Sequence, residues 1–153
     1  FGKGRKIGYV SRDAVKVHRD WIGRWKVLMP YANNIGTELN DDNQNTFVAG
    51  PDTICTETFL VVGVDLVNDQ AEAEHLATYL RTKFARFLLS LAKISQHGTA
   101  RTYKFVPVQD FTAASDICWD RPIAEIDSQL YARYHLDPEE IAHIEAKIKA
   151  MGE

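Results

Sequence analysis

Leu76, Tyr79, Leu80, Phe84, Phe87, Leu88 and Leu91 recur at three- and four-residue spacing across residues 69–95. That period puts them on one face of an α-helix. A helix with so broad an apolar face must bury it against another layer, and a β-sheet is the natural partner. The run from Thr53 to Val64 supplies one strand, rich in β-branched residues. Asp69 can cap the helix, Glu72 and Glu74 suit its positive end, and Lys83, Arg86 and Lys93 its negative end. The expected class is α+β: a single domain with a mixed sheet, one long central helix and two C-terminal helices.

The remaining elements follow from shorter patterns. Trp25–Met29 reads as a strand stopped by Pro30, and Gly8–Val10 could form a short one. The second half of residues 53–64 is wholly apolar, which suggests a central strand. Glu57 interrupts it and must face solvent or be paired. Thr102–Val108 reads as another strand. Ile123, Ile126, Leu130 and Tyr134 mark the first closing helix. The second opens on Asp137-Pro138-Glu139-Glu140, with an N-cap, proline at the first helical position and a capping-box glutamate. Ile141, Ile144 and Ile148 form its stripe, and Gly152 can end it. Residues 31–46 are rich in Asn, Asp, Gln and Gly and form a long polar loop. The 153 residues suffice for one domain with a strand-and-loop half (1–68) and a helix-rich half (69–153). The chain opens on Phe1, so it reads as a segment of a longer protein.

The net charge of −3 conceals a pattern. Residues 1–26 hold eight Lys/Arg against two acids, a net of +6, and residues 27–80 hold nine acids and no base. Residues 81–104 hold six bases and no acid, and residues 105–153 hold ten acids against four bases. Phosphate binding requires local positive potential rather than a positive total. The two basic blocks are therefore candidates for one DNA-facing surface, against the alternative of two solvated faces.

No apolar run approaches the ~18–20 residues that span a bilayer, so a cytoplasmic, membrane-free protein is expected. Cys55 and Cys118 are far apart and the five histidines are scattered, which argues against a zinc site. The two thiols fit a reducing compartment better than a disulfide. A glycine-rich cofactor loop and an Asn/Asp-Pro-Pro-aromatic motif are both missing, and all five prolines are isolated. No catalytic residue is therefore assigned. Glu145-Ala146-Lys147 has the Glu-x-Lys spacing of metal-dependent nucleases, but it lies in a helical pattern where the two side chains diverge.

Several segments occur in a distinctive order. They are Trp25–Ala32, Ile54–Gly63, Tyr79–Leu88, Tyr103–Phe111 and Tyr131–Ile141. Together, over roughly residues 8–148, they resemble the C-terminal region of bacterial restriction–modification adenine-specific DNA methyltransferases, some of which are fused to an endonuclease. The resemblance implies a target recognition domain. It implies double-stranded DNA as partner, and a catalytic methyltransferase domain elsewhere in the parent chain. It also implies S-adenosylmethionine as the parent's cofactor, with no cofactor held by this segment.

On that reading Arg5, Lys6, Arg12, Lys16, Arg19, Lys83, Arg86, Lys93 and Lys104 would hold phosphates. Gln96, His97 and Arg101, in the polar loop 95–101, would reach base edges. The target adenine would be flipped into the catalytic domain. The competing expectations are a protein-interaction module using the acidic C-terminal helices, and a small nuclease using Glu145 and Lys147.

Overall fold

The computed structural model describes residues 7–31, 45–92 and 100–151. Three strands, β1 (Lys26–Pro30), β2 (Phe47–Ala49) and β3 (Phe59–Val62), form a sheet of order β2-β1-β3. Four helices follow: α1 (Gln70–Arg81), α2 (Lys83–Ala92), α3 (Ile123–Arg133) and α4 (Pro138–Lys147). The α+β class holds. The sheet, however, is antiparallel throughout the described residues rather than mixed: Val27 pairs with both Val48 and Val62, and Leu28 with both Phe47 and Val61.

β1, not β3, is central. Val27, Leu28 and Met29 are fully or almost fully buried. Lys26 is buried with them because its ammonium donates to the carbonyls of Trp21 (3.0 Å) and Arg24 (2.8 Å); burial pulls its pKa down. β3 starts only at Phe59. Upstream of it the threonines bond locally: Thr53 Oγ1 to the Gly50 carbonyl, and Thr56 Oγ1 with Thr58 Oγ1 at 2.8 Å. Such bonds compete with a ladder. Glu57 faces solvent.

The long central helix is in fact two. Thr82 leaves the helical region at ψ 151°. Its Oγ1 accepts from the Ala85 N–H at 3.1 Å, as an N-cap does. The N–H groups of Lys83 and Phe84 donate to Asp127 of α3 at 3.0 and 2.9 Å. Three of the four N–H groups orphaned at the start of α2 are thus satisfied, two of them by a neighbouring helix. Asp127 is 2% exposed, and burial above all raises its pKa, to about 6. Asp69 caps α1 through the Glu72 N–H at 2.9 Å, and Asp137 and Glu140 close a capping box on α4.

Val27 and Met29 of β1, Leu76, Tyr79 and Leu80 of α1, Phe84 of α2, Ile126 and Leu130 of α3 and Ile144 of α4 make one core. Residues 102–108 do not form the expected strand. A 3-10 turn spans Ala100–Tyr103, and the chain then runs irregularly under α1 and α3. The Pro107 carbonyl accepts from Tyr79 Oη at 2.9 Å and Gln109 Nε2 at 3.2 Å, so side chains replace a ladder partner. Gly8–Val10 is likewise irregular. Gly152 lies outside the described residues; α4 ends at Lys147, and Ile148 seals its last turn at 1% exposure.

Candidate nucleic-acid interface

The first basic block lies on an exposed stretch with two 3-10 turns, Arg12–Ala14 and Arg19–Trp21. Ser11 starts the first turn, and His18, at φ 52°, stacks on Trp21 with ring centroids 3.8 Å apart at the second. Each cation here has an acceptor. Arg12 pairs with Asp52 and Arg19 with Asp13 at 3.3 Å, while Lys16 Nζ donates to the Asp13 carbonyl at 2.8 Å. Arg24 pairs with Asp65 at 2.7 Å. These pairs are solvent-exposed, and such pairs contribute about 0–1 kcal/mol. A phosphate can therefore displace the carboxylate at little cost. Arg5 and Lys6 lie outside the described residues.

The second block differs. Arg86 is fully buried, and its Nη1 donates to the Lys149 carbonyl at 2.7 Å, tying α2 to the chain beyond α4. It cannot reach a phosphate, so its assignment to DNA is withdrawn. Lys83 is ion-paired to Glu145 of α4 with its side chain mostly covered, so it too belongs to the fold. The helical pattern placed both at the negative end of one long helix; with the break at Thr82 they fall instead in the first turn of α2, against α4 and the chain beyond it. Lys104 stays exposed, with its ammonium 4.5 Å from the Phe105 ring centroid. Arg101 belongs to the 3-10 turn Ala100–Tyr103. Lys93, Gln96 and His97 lie outside the described residues.

Tyr103 fixes where that turn sits. Its hydroxyl, largely enclosed, donates to Met29 Sδ at 3.2 Å, and burial raises its pKa. Met29 is the penultimate residue of β1. Two residues later the chain reaches Tyr31, whose N–H donates to the Thr58 carbonyl at 2.9 Å. From there it enters the polar stretch that returns at Phe47, opposite Leu28. Tyr103, which follows the polar segment 95–101 in sequence, thus touches Met29, which precedes the polar segment 31–46, at one end of β1. Nothing in the spacing of either segment signals this contact.

Glu145 is engaged by Lys83 and by Tyr131 Oη at 2.9 Å, while Lys147 is exposed. Partial burial raises the Glu145 pKa, but these two partners outweigh it and hold the carboxyl below its usual range. Among the described residues no group of three or more His, Cys, Asp or Glu side chains is placed to hold a metal. Among the described residues the sheet is antiparallel, with no parallel strand–helix–strand unit of the kind that cradles a nucleotide-like cofactor, and β3 runs into a turn at a single glycine, Gly63. Both cysteines are free thiols, and no helix among the described residues is long and apolar enough to cross a membrane. Comparisons with family models, curated proteins and solved structures find no match.

One feature escaped the sequence. Between α2, α4 and the chain at 105–107 lies an open cavity of about 670 Å³, walled by Phe84, Phe87, Leu88, Phe105 and Tyr134, with Glu139, Glu140 and His143 on its rim. The stripe of α2 reads as core, yet only Phe84 at its inner end is buried; Leu91 at its outer end is exposed. The stripe's extension past the first helical turn, beyond what α4 can cover, was the available signal.

Proposed function

We propose that this chain is a DNA target recognition domain of a restriction–modification adenine-N6 methyltransferase, acting with a catalytic domain that lies elsewhere in the parent protein. The observation that supports the reading is the contact between Tyr103 and Met29, the residues that flank the two polar segments in sequence, at one end of β1. A reading surface needs side chains with hydrogen-bonding capacity gathered at one place on a rigid scaffold. The ordered sequence segments that resemble the methyltransferases supply that scaffold, contributing β1, β3, the α1–α2 junction and α4. Exposed Arg12, Lys16, Arg19 and Lys104 provide phosphate contacts, and Gln96, His97 and Arg101 provide base contacts.

The chain is to be incubated with a pool of random duplexes, and the bound fraction sequenced. Enrichment of one short motif is expected, and its loss when Gln96, His97 and Arg101 are together changed to alanine. A bound fraction with no enriched motif, from a folded protein, would remove the recognition reading. The protein-interaction reading draws on a separate observation, the aromatic cavity beside α4.

A further inference from the structure

Among the described residues, eight of the nine exposed large hydrophobic side chains fall in two stretches of the fold. Ile7, Tyr9, Val10 and Val17 lie along the N-terminal strip, among Arg12, Lys16 and Arg19. Phe105 and Tyr134 line the cavity between α2 and α4, and Leu91 and Val108 follow its lining residues Leu88 and Pro107 along the chain. The strip is apolar and basic. Residues 7–19 hold three cations against one carboxylate, that of Asp13. The cavity is apolar and acidic on its α4 side, where Glu139 and Glu140 stand in the first turn. Glu140 closes the capping box, but the Glu139 carboxylate has no partner among the described residues.

We propose that the cavity receives the N-terminal strip, residues 7–19, of a second copy of this chain. Tyr9 and Val10 would fill the aromatic-walled space, and Arg12 or Lys16 would meet Glu139. Aromatic anchors seated in a pocket with a charged rim are the usual energetic centre of a protein contact. The strip can exchange its present ion pairs for Glu139 because those pairs are exposed and weak. The contact is between unlike surfaces: each copy offers one strip and one cavity, so two copies close on each other by reciprocal exchange or further copies add in a row. A strip of 13 residues buries less than the ~1,600 Å² of a standard interface, which places the contact in the small, transient class. The inference does not depend on DNA binding.

A contact between unlike surfaces permits a decisive test by sedimentation equilibrium of the full chain at about 200 µM. The wild type is expected to show a weight-average mass well above that of the monomer. Glu139→Lys alters only the cavity, and Tyr9→Ser with Lys16→Glu alters only the strip. All three positions are exposed, and thermal melting checks that each variant folds. Each variant alone should be at least tenfold weaker in self-association. Mixed in equal amounts they should form a heterodimer and nothing larger, because one intact strip meets one intact cavity. A monomeric wild type at 200 µM, variants that associate like the wild type, or a mixture that stays monomeric would each overturn the proposal.

Discussion

Asp127→Asn tests how the two halves of the apolar helix pattern are held together. The side chain is 2% exposed and accepts two backbone N–H groups, those of Lys83 and Phe84. Asparagine keeps the size but offers one acceptor oxygen, so one N–H of α2 faces an amide NH₂. An unsatisfied buried donor costs about 1–3 kcal/mol, and loss of an N-cap falls in the same range. For a chain of this length that lowers Tm by roughly 3–10 °C at pH 7. The pH dependence adds a sharper mark. The Asp127 pKa is raised from 3.8 to about 6 by burial, only partly opposed by the two backbone N–H bonds. The folded state therefore binds a proton more readily than the unfolded state, and Asp127 gains stability as pH falls through 6 towards 4. Between pH 7 and pH 5 this gain is on the order of 1 kcal/mol, absent in the asparagine variant. Urea unfolding followed by tryptophan fluorescence at both pH values reads it directly. The wild-type advantage over Asp127→Asn should widen on acidification. An advantage that stays constant or shrinks would refute the placement of a desolvated carboxylate across the α1–α2 junction.

Other substitutions test neighbouring parts of the account. Gly63 adopts φ +81°, and a Cβ there would collide with Leu76 Cδ2 of α1; Gly63→Ala should cost about 2–4 kcal/mol in denaturant unfolding, from left-handed strain and overpacking. Arg86→Met leaves the Lys149 carbonyl without its donor and should lower stability by about 1–3 kcal/mol, while the salt dependence of any DNA binding stays unchanged in a titration. Arg101→Ala should cost about 1–3 kcal/mol on a selected duplex and little on scrambled DNA, measured by anisotropy.

The parts of the fold set by local chemistry were legible in the sequence. The α4 capping box, the Asp69 cap and β1 ending at Pro30 each depend on residues a few positions apart, and each is present. What escaped depends on distant partners. Thr82 is an ordinary residue within a helical pattern until Asp127, 45 positions later, caps the second helix from α3. Arg86 reads as an exposed cation because its acceptor, the Lys149 carbonyl, is 63 residues away. The same limit applied to charge. The basic block 1–26 looks uncompensated along the chain, yet Asp52 and Asp65 from the acidic stretch come to meet Arg12 and Arg24. β2 was hidden because three residues, Phe47–Ala49, at the edge of a polar stretch carry too little pattern. Of the candidate DNA contacts, Arg12, Lys16, Arg19 and Lys104 remain exposed, whereas Lys83 and Arg86 serve packing.

That division gives the most direct test of DNA binding by this chain: duplex affinity by fluorescence anisotropy across a salt series, for the wild type, Lys16→Ala and Lys83→Ala. Each phosphate contact contributes about one unit to the slope of log affinity against log salt. The wild type should bind duplex DNA with a steep slope. Lys16→Ala should reduce the slope by about one on every sequence. Lys83→Ala should leave the slope intact and lower thermal stability instead. No binding at low salt, or equal slope losses for the two lysines, would contradict the account.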